Sequence, residues 1–575
     1  MLAKCYSGAI NGVDARMVEI EVYSQIGTSQ FAIVGLPDTA VKEAKDRIPK
    51  ALKSQGLALK KEYDVTVNLA PADVRKEGSI YDLPIAVGLL GASGQIRNRH
   101  LDEYGLIGEL ALSGEVRAAH GILPMVMEMR RVGLRAVIVP VENVEEASVV
   151  SGIDVIPVRV LQEAVQYLNG ERAIEPRHTD IGDLIAGGGS SLDDFADVKG
   201  QDTAKQAIEV AVAGGHNILM IGSPGSGKTM LARRIPSILP PLTVEEALEV
   251  SRIHSVAGEA KGGGGFVTER PFRAPHHTVS SIGLLGGGTH PVPGEVSLAH
   301  RGVLFLDEFA EFPRQALEVL RQPLEDGHVG VSRAAAAFDF PSKFMLVAAM
   351  NPCPCGYHGD PNHDCRCRTN AIVKYQSRVS GPLLDRIDIQ VEVPPVDVKR
   401  LPTMDPGESS ATIRERVLKA RAIQAERYRN LPGVHTNADV RSRDLDRVCQ
   451  FTAKERECLI RTIERMKISA RAYDKVLRVA RTLADLDGSE AVRESDILAA
   501  VTYRKLDSED NAFWVCRFVH QGKGKEKQDE HRHANLNARQ KHAAGARIHP
   551  SEPLLLPRQS QGHGKRGQDE PASCA

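Results

Sequence analysis

The chain changes its hydrophobic period several times, and each change predicts a different kind of element. Met17-Val-Glu-Ile-Glu-Val22 and Val65-Thr-Val-Asn-Leu69 alternate apolar and polar positions, as half-buried strands do, whereas Thr39 to Leu57 has helical spacing. Leu106-Ile-Gly-Glu-Leu110, a turn near Ser113-Gly114, a helical Pro124 to Arg131 and the apolar run Ala136-Val-Ile-Val-Pro140 continue in that style. Residues 1–170 therefore read as an α+β domain. Residues 171–194, with Gly187-Gly-Gly-Ser-Ser191, have linker composition. Three apolar runs follow, Asn217 to Ile221, Gly302 to Leu306 and Phe344 to Met350, separated by helical stretches. They predict an α/β core over 195–406 whose parallel sheet is covered on both faces. From Gly407 to residue 506 the pattern is wholly helical, with segments Ala411 to Arg427, Asp444 to Val448, Ala453 to Met466, Ala470 to Asp487 and Glu494 to Arg504, a helical lid. Residues 507–575 lose all periodicity and read as a disordered tail.

Length and composition narrow the picture only a little. A chain of 575 residues exceeds one core and suggests three or four domains of about 150 residues each. The net charge of −1 excludes a globally basic coat, yet leaves room for a positive stripe. With aromatics at 4%, stacking platforms for single strands are few, so DNA contact would be electrostatic. No charged-then-apolar leader opens the chain and no run of 18 apolar residues occurs, which reads as a cytoplasmic protein without a membrane partner. The cysteine count is nine, four of them between 353 and 367, which fits reduced thiols or a metal site better than a disulfide framework.

The chemistry is concentrated in the middle section. Gly222-Ser223-Pro224-Gly225-Ser226-Gly227-Lys228-Thr229 joins an apolar strand to a helix, the order in which backbone N–H groups cradle phosphates. A nucleoside triphosphate is the expected ligand, with Lys228 on its β and γ phosphates and Thr229 on Mg2+. Asp307 and Glu308 end the next apolar strand at the edge where α/β sheets bind ligands. Asp307 would hold Mg2+ and Glu308 would orient and deprotonate water. Asn351 closes the third strand, where an amide can bond water or phosphate. Arg386 and Arg478 are the cationic candidates for the charge that phosphoryl transfer spreads, with Arg471 and Arg481 as rivals to Arg478.

These motifs resemble the AAA+ ATPases, and in particular the magnesium-chelatase-like ComM/YifB family. The resemblance rests on Val198-Lys-Gly-Gln201, Arg270-Pro-Phe-Arg-Ala-Pro-His-His277, Pro293-Gly-Glu-Val-Ser-Leu-Ala-His300, Val347-Ala-Ala-Met-Asn-Pro-Cys353 and Ser380-Gly-Pro-Leu-Leu-Asp-Arg-Ile-Asp388, and covers about residues 1 to 506. It implies that Asn351 is sensor 1, Arg386 an arginine finger and Arg478 sensor 2. It also implies a first domain of the Lon-protease type, with a ribosomal S5 domain 2-like fold, since Gly108-Glu-Leu-Ala-Leu-Ser-Gly-Glu-Val116 and Val139-Pro-Val-Glu-Asn143 resemble Lon signatures. Here the sequence departs from that pattern. Ile80 stands where the nucleophilic serine would be and Leu123 where the lysine would be, so the domain reads as a binding or assembly module. Ser79 as a displaced nucleophile is the rival reading, against a turn or cap serine.

Three further features leave alternatives open. Cys353, Cys355, Cys365 and Cys367 could close a Zn2+ site or remain loop thiols. Glycine runs Lys261 to Gly265 and Gly283 to Gly288 flank Phe266 to Ser281, an insert free to move with nucleotide state, which His276 and His277 shape. By analogy with the related clade, Gly327 to Lys343 would be a hairpin facing a pore, with Arg333 as a phosphate contact or a solvated turn residue. The whole implies an ATP- and Mg2+-dependent ring, a homo-hexamer, driving DNA helicase or branch-migration work in recombination or natural transformation. The alternatives are a chelatase-type remodeller of a protein or tetrapyrrole and an ATP-dependent protease; no Asp-x-Ser-x-Ser metal-adhesion motif supports the former.

Overall fold

The computed structural model describes residues 1–504 except 60–61, 187–192, 260–264, 289–290, 333–336, 397–402, 404 and 466–469. The tail over 507–575, Arg333, the glycine centre of the linker and the side chain of Arg471 lie outside the described residues.

Two sheets organise the chain. The first has seven strands, in spatial order Phe31–Val34, Tyr63–Ala70, Asp14–Ile26, Leu2–Asn11, Tyr104–Leu106, Ala136–Pro140 and Asp154–Val158. Its N-terminal hairpin is antiparallel, Leu2–Asn11 against Asp14–Ile26, and its other half is parallel, as crossovers through helices require. The expected strand around Leu106 resolves into two short pieces, Tyr104–Leu106 and Glu109–Leu110. The helix expected from Thr39 to Leu57 resolves into Thr39–Lys42 and Ala44–Ser54.

The second sheet has five parallel strands in the order Phe272–Arg273, Val303–Leu306, Met345–Met350, Ile218–Ile221 and Ile389–Glu392. Its three central strands are buried at every position. Alternate residues enter two separate cores: Ile218, Met220, Val303, Phe305, Val347 and Ala349 face one, while Leu219, Ile221, Leu304, Leu306, Leu346 and Ala348 face the other. That two-residue period explains why the strands read as continuous apolar runs rather than as alternating ones.

The first of these cores continues into the helices Ser410–Tyr428, Ser442–Cys449, Ala453–Arg465, Ala470–Leu486 and Glu494–Thr502. Polar contacts fix this helical part to the helix Asp202–Gly214 and to the ends of the sheet strands. Arg416 Nε lies 2.6 Å from Glu209 Oε1, and His216 bridges Asp388 at 3.2 Å and Thr482 at 2.8 Å.

A helix not expected from the sequence, Val244–Ala257, joins the two sheets. It starts at a capping box of Thr243 and Glu246 and stops at Gly258, whose φ of 73° supplies the left-handed turn. Ala247 and Val250 from this helix, with Leu242 and Phe266, share one apolar core with Leu123, Met125, Val126 and Met129 of the helix Ile122–Val132. Burial of a leucine- or valine-sized side chain is worth about 1.5–3 kcal/mol, so this junction is a firm one.

Candidate functional site

The phosphate-loop residues bridge the strand Ile218–Ile221 and the helix Lys228–Ile238. Gly225 and Gly227 take φ values of 78° and 93°, which a side chain would oppose. Gln201 fastens the loop from behind, donating from Nε2 to Ser226 O at 3.0 Å and to Pro394 O at 2.6 Å.

Lys228 is buried, and its ammonium group donates to Gly222 O at 2.8 Å, Ser223 O at 3.0 Å and Asn351 Oδ1 at 3.3 Å. Burial pushes its pKa down to about 8, with Asp307 opposing the shift. A cation set among neutral oxygens in this way is suited to an anion. Next along the helix, Thr229 Oγ1 donates to Asp307 Oδ2 at 2.6 Å. The parallel register of Ile218–Ile221, Met345–Met350 and Val303–Leu306 brings the ends of all three strands together, and with them Lys228, Asn351 and Asp307. Glu308 follows in the left-handed region, φ 51°, and its N–H donates to Asp307 Oδ1 at 2.9 Å.

These residues line one cavity of about 670 Å³, which also receives Arg233, His276 and His277. His277 Nδ1 sits 2.9 Å from Glu308 Oε2, and its ring lies 4.1 Å from that of His276. The sequence reading placed both histidines in the insert and did not connect them to Glu308. The available signal was their position just beyond the edge strand Phe272–Arg273, which runs parallel to Val303–Leu306.

The fit to a magnesium nucleotide rests on this donor set. Gln201 Oε1 is buried beside the loop without a hydrogen-bond partner, Lys228 supplies the cation, and Thr229 and Asp307 offer the hard oxygens that Mg2+ takes.

Two expected arginines stand elsewhere. Arg386 is absent from the cavity wall; it pairs with Glu325 and donates to Pro382 O at 2.8 Å and Arg321 O at 3.2 Å. Arg478 donates from Nε to Val440 O at 2.8 Å, also away from the cavity. Its rival Arg481 is buried against Asp485 and caps Glu490 O at 2.7 Å, which commits it to the helical core.

Leu123 and Ile80 also have defined surroundings. Leu123 is fully buried in the junction and its N–H donates to Glu146 Oε1 at 2.9 Å, while Ile80 packs half-buried between two cores. Ser79 donates its hydroxyl to the Glu109 carboxylate, and the Lys76 ammonium to Pro71 O. The segment expected as a hairpin is one, His328–Ser332 against Ala337–Pro341. Cys353, Cys355, Cys365 and Cys367 converge with their sulfur atoms all within 4.8 Å of one another, a group able to hold a metal ion. No helix among the described residues is long and apolar enough to cross a membrane.

Residues 194–401 match the family described as magnesium chelatase, subunit ChlI; residues 18–143 match subunit ChlI of Mg-chelatase, and residues 407–504 match the magnesium chelatase subunit ChlI C-terminal family. The competence protein ComM of Haemophilus influenzae is 42% identical over 508 residues, 88% of this chain and 98% of that protein. The uncharacterized protein YifB of Escherichia coli is 42% identical over 511 residues, 88% of this chain and 97% of its own length. A magnesium-chelatase 67 kDa subunit of Chlorobaculum parvum is 30% identical over only 165 residues, 28% of this chain and 23% of that subunit. Near-complete coverage by ComM and YifB, together with the phosphate loop on its parallel sheet, shows that the chain belongs to the magnesium-chelatase-like AAA+-type ATPases of the ComM/YifB family.

Proposed function

We propose that the chain hydrolyses ATP with Mg2+ in a homo-hexameric ring and uses the energy to move or remodel DNA. The observation that carries the ATPase half is the meeting of Lys228, Thr229, Asp307, Glu308 and Asn351 at one cavity. Bound there, Mg2+ would draw charge off the phosphates; Thr229 and Asp307 would hold it, and Lys228 and the loop N–H groups would hold the phosphates. Glu308 would accept the proton of the attacking water and Asn351 would position that water. Arg386 supports the ring reading because it is partly exposed and does not line its own cavity, so a second subunit would bring it to the phosphates. Arg478 would report nucleotide state from the lid.

DNA is the favoured substrate because the near-full-length relative carries the name of a competence protein. The first domain, which we read as Lon-like, would serve assembly or binding, since Leu123 is buried under the helix Val244–Ala257 rather than offered to a peptide. A chelatase-type remodeller is the second reading, supported by the family matches but by only a partial match to a chelatase subunit.

Steady-state ATPase assays across a salt series test the choice. DNA should stimulate hydrolysis, and the stimulation should weaken steeply with salt as phosphate contacts are lost. Stimulation by porphyrin and not by DNA would reverse the substrate assignment, and undiminished hydrolysis by Lys228→Ala would end the ATPase reading.

A further inference from the structure

We propose that Cys353, Cys355, Cys365 and Cys367 are the four thiolate ligands of a structural Zn2+ ion, and that the loop they close braces the phosphate loop from outside. Sulfur separations are 3.4 Å for Cys353 and Cys355, and 3.7 Å for both Cys353–Cys365 and Cys355–Cys365. A tetrahedron with Zn–S bonds of about 2.3 Å has edges of about 3.8 Å, so the thiols already stand near the corners of such a site. A disulfide would draw one pair to about 2.05 Å, and all four cysteines are free.

Four deprotonated thiols around one Zn2+ would leave the cluster with a net double negative charge. Soft sulfur ligands in a closed tetrahedral set favour zinc over Mg2+, leave no open position for water and so make the ion structural rather than catalytic. His363 is otherwise engaged: its Nδ1 is 3.4 Å from Asp360 Oδ1 and its ring lies 4.7 Å from Tyr357.

The link to the phosphate loop is steric. Cys353 is fully buried two residues after Asn351, and Gly356 at φ 86° presses so closely on Pro224 that a Cβ there would lie 2.6 Å from the proline ring. The Asp360 side chain, almost wholly covered, faces Ser223, whose buried hydroxyl makes no hydrogen bond of standard geometry. Gln376, at the end of the helix Thr369–Gln376 that follows the loop, donates from Nε2 to Pro352 O at the loop's start, 3.1 Å away. Between Cys353 and Cys367 the chain forms neither helix nor strand, so turns and the thiol cluster are what give this wall its shape.

The test is metal analysis of the full-length chain, purified without an affinity tag and dialysed against EDTA, together with binding of a fluorescent ATP analogue. About one zinc per chain is expected to survive dialysis, Cys365→Ser/Cys367→Ser should lose it, and Cys367→His, which keeps a ligand, should retain it. Analogue affinity should fall about tenfold in the double variant and hold in Cys367→His. Fewer than about 0.1 zinc per wild-type chain, zinc retained by the double variant, or iron in its place would overturn the site. Zinc loss with unchanged analogue affinity would overturn the brace. The zinc count needs no ATPase activity, so its failure is distinguishable from failure of the ATPase reading.

Discussion

Glu308 holds out its carboxylate 2.9 Å from Nδ1 of His277, so the proposed general base is tied to the segment that follows the edge strand Phe272–Arg273. The Glu308 backbone is fixed in the left-handed region, which leaves only its side chain free to swing toward a water. This close contact with His277 occupies one of the two carboxylate oxygens. His277→Ala should therefore raise hydrolysis in the absence of DNA by about two- to tenfold, the worth of one hydrogen bond. Glu308→Gln should cut turnover by about 10²–10⁴ while leaving nucleotide binding intact. Steady-state rates beside equilibrium binding separate the two; a slower His277→Ala enzyme would show that the contact aids the base.

Lys228 predicts a pH dependence of nucleotide binding. In the free chain burial pushes its ammonium down to about 8 from 10.5, whereas triphosphate favours the charged form. Affinity should thus be flat below pH 8 and fall by up to about tenfold per unit above it, as binding comes to require proton uptake. For folding, holding the ammonium charged is a cost present below about pH 8 and relieved above 10.5. Fluorescence titrations with an ATP analogue across this range check the slope, and a flat profile would contradict it.

Asp388 carries a third prediction, at the joint between sheet and lid. Burial alone would raise its pKa, but Lys475 at 3.5 Å and His216 at 3.2 Å outweigh it and hold the carboxyl well below the usual carboxylate range. Burial in turn pushes Lys475 down to about 8, with Asp388 resisting. Asp388→Asn removes one partner of a buried pair, which typically costs about 3–5 kcal/mol. Because the folded pKa is depressed, this stability is present above the ordinary carboxylate pKa of 3.8 and lost as pH falls below it. Thermal unfolding should show a lower midpoint for the variant and a shallower decline in acid.

Glu146 supplies a fourth. Burial raises its pKa, although Ser255, the Leu123 N–H and Asn143 all donate to it. Since the folded pKa is raised, ionisation costs stability increasingly as pH rises above the ordinary value of 4.5. Glu146→Gln keeps acceptor oxygen and escapes that cost, so it should stay within about 1 kcal/mol of wild type, whereas Glu146→Ala strands buried donors at about 1–3 kcal/mol. Denaturant melts of the full chain would reveal the contrast, and equal losses would refute it.

Much of the fold around the cavity was legible because its chemistry is written in consecutive residues. A phosphate loop needs glycines, a lysine and a threonine in fixed order, and the carboxylates must end an apolar strand, so Gly222 to Thr229 and Asp307-Glu308 announce themselves. His277 did not, because its partner is remote in sequence and only the parallel pairing of Phe272–Arg273 with Val303–Leu306 brings them together. The strand Leu2–Asn11 was hidden for a packing reason. Its buried positions are the small residues Cys5, Ser7, Gly8 and Ala9, and at Gly8 Met125 lies so close that a Cβ would sit 2.5 Å from its Cγ. Arg478 and Arg481 lie on one helix with similar patterns, and what distinguishes them is tertiary: Arg481 pairs with Asp485 and caps Glu490 O, whereas Arg478 donates to Val440 O.

The capped helix Val244–Ala257 makes the two halves of the chain mutual lids against water. A polypeptide shortened to start at the linker would bare Leu242, Ala247, Val250 and Phe266 as a greasy scar, and the severed front half would bare Met125, Val126 and Met129. Amputation of either half should therefore yield sticky, clumping material, so that the shortest well-behaved polypeptide keeps both.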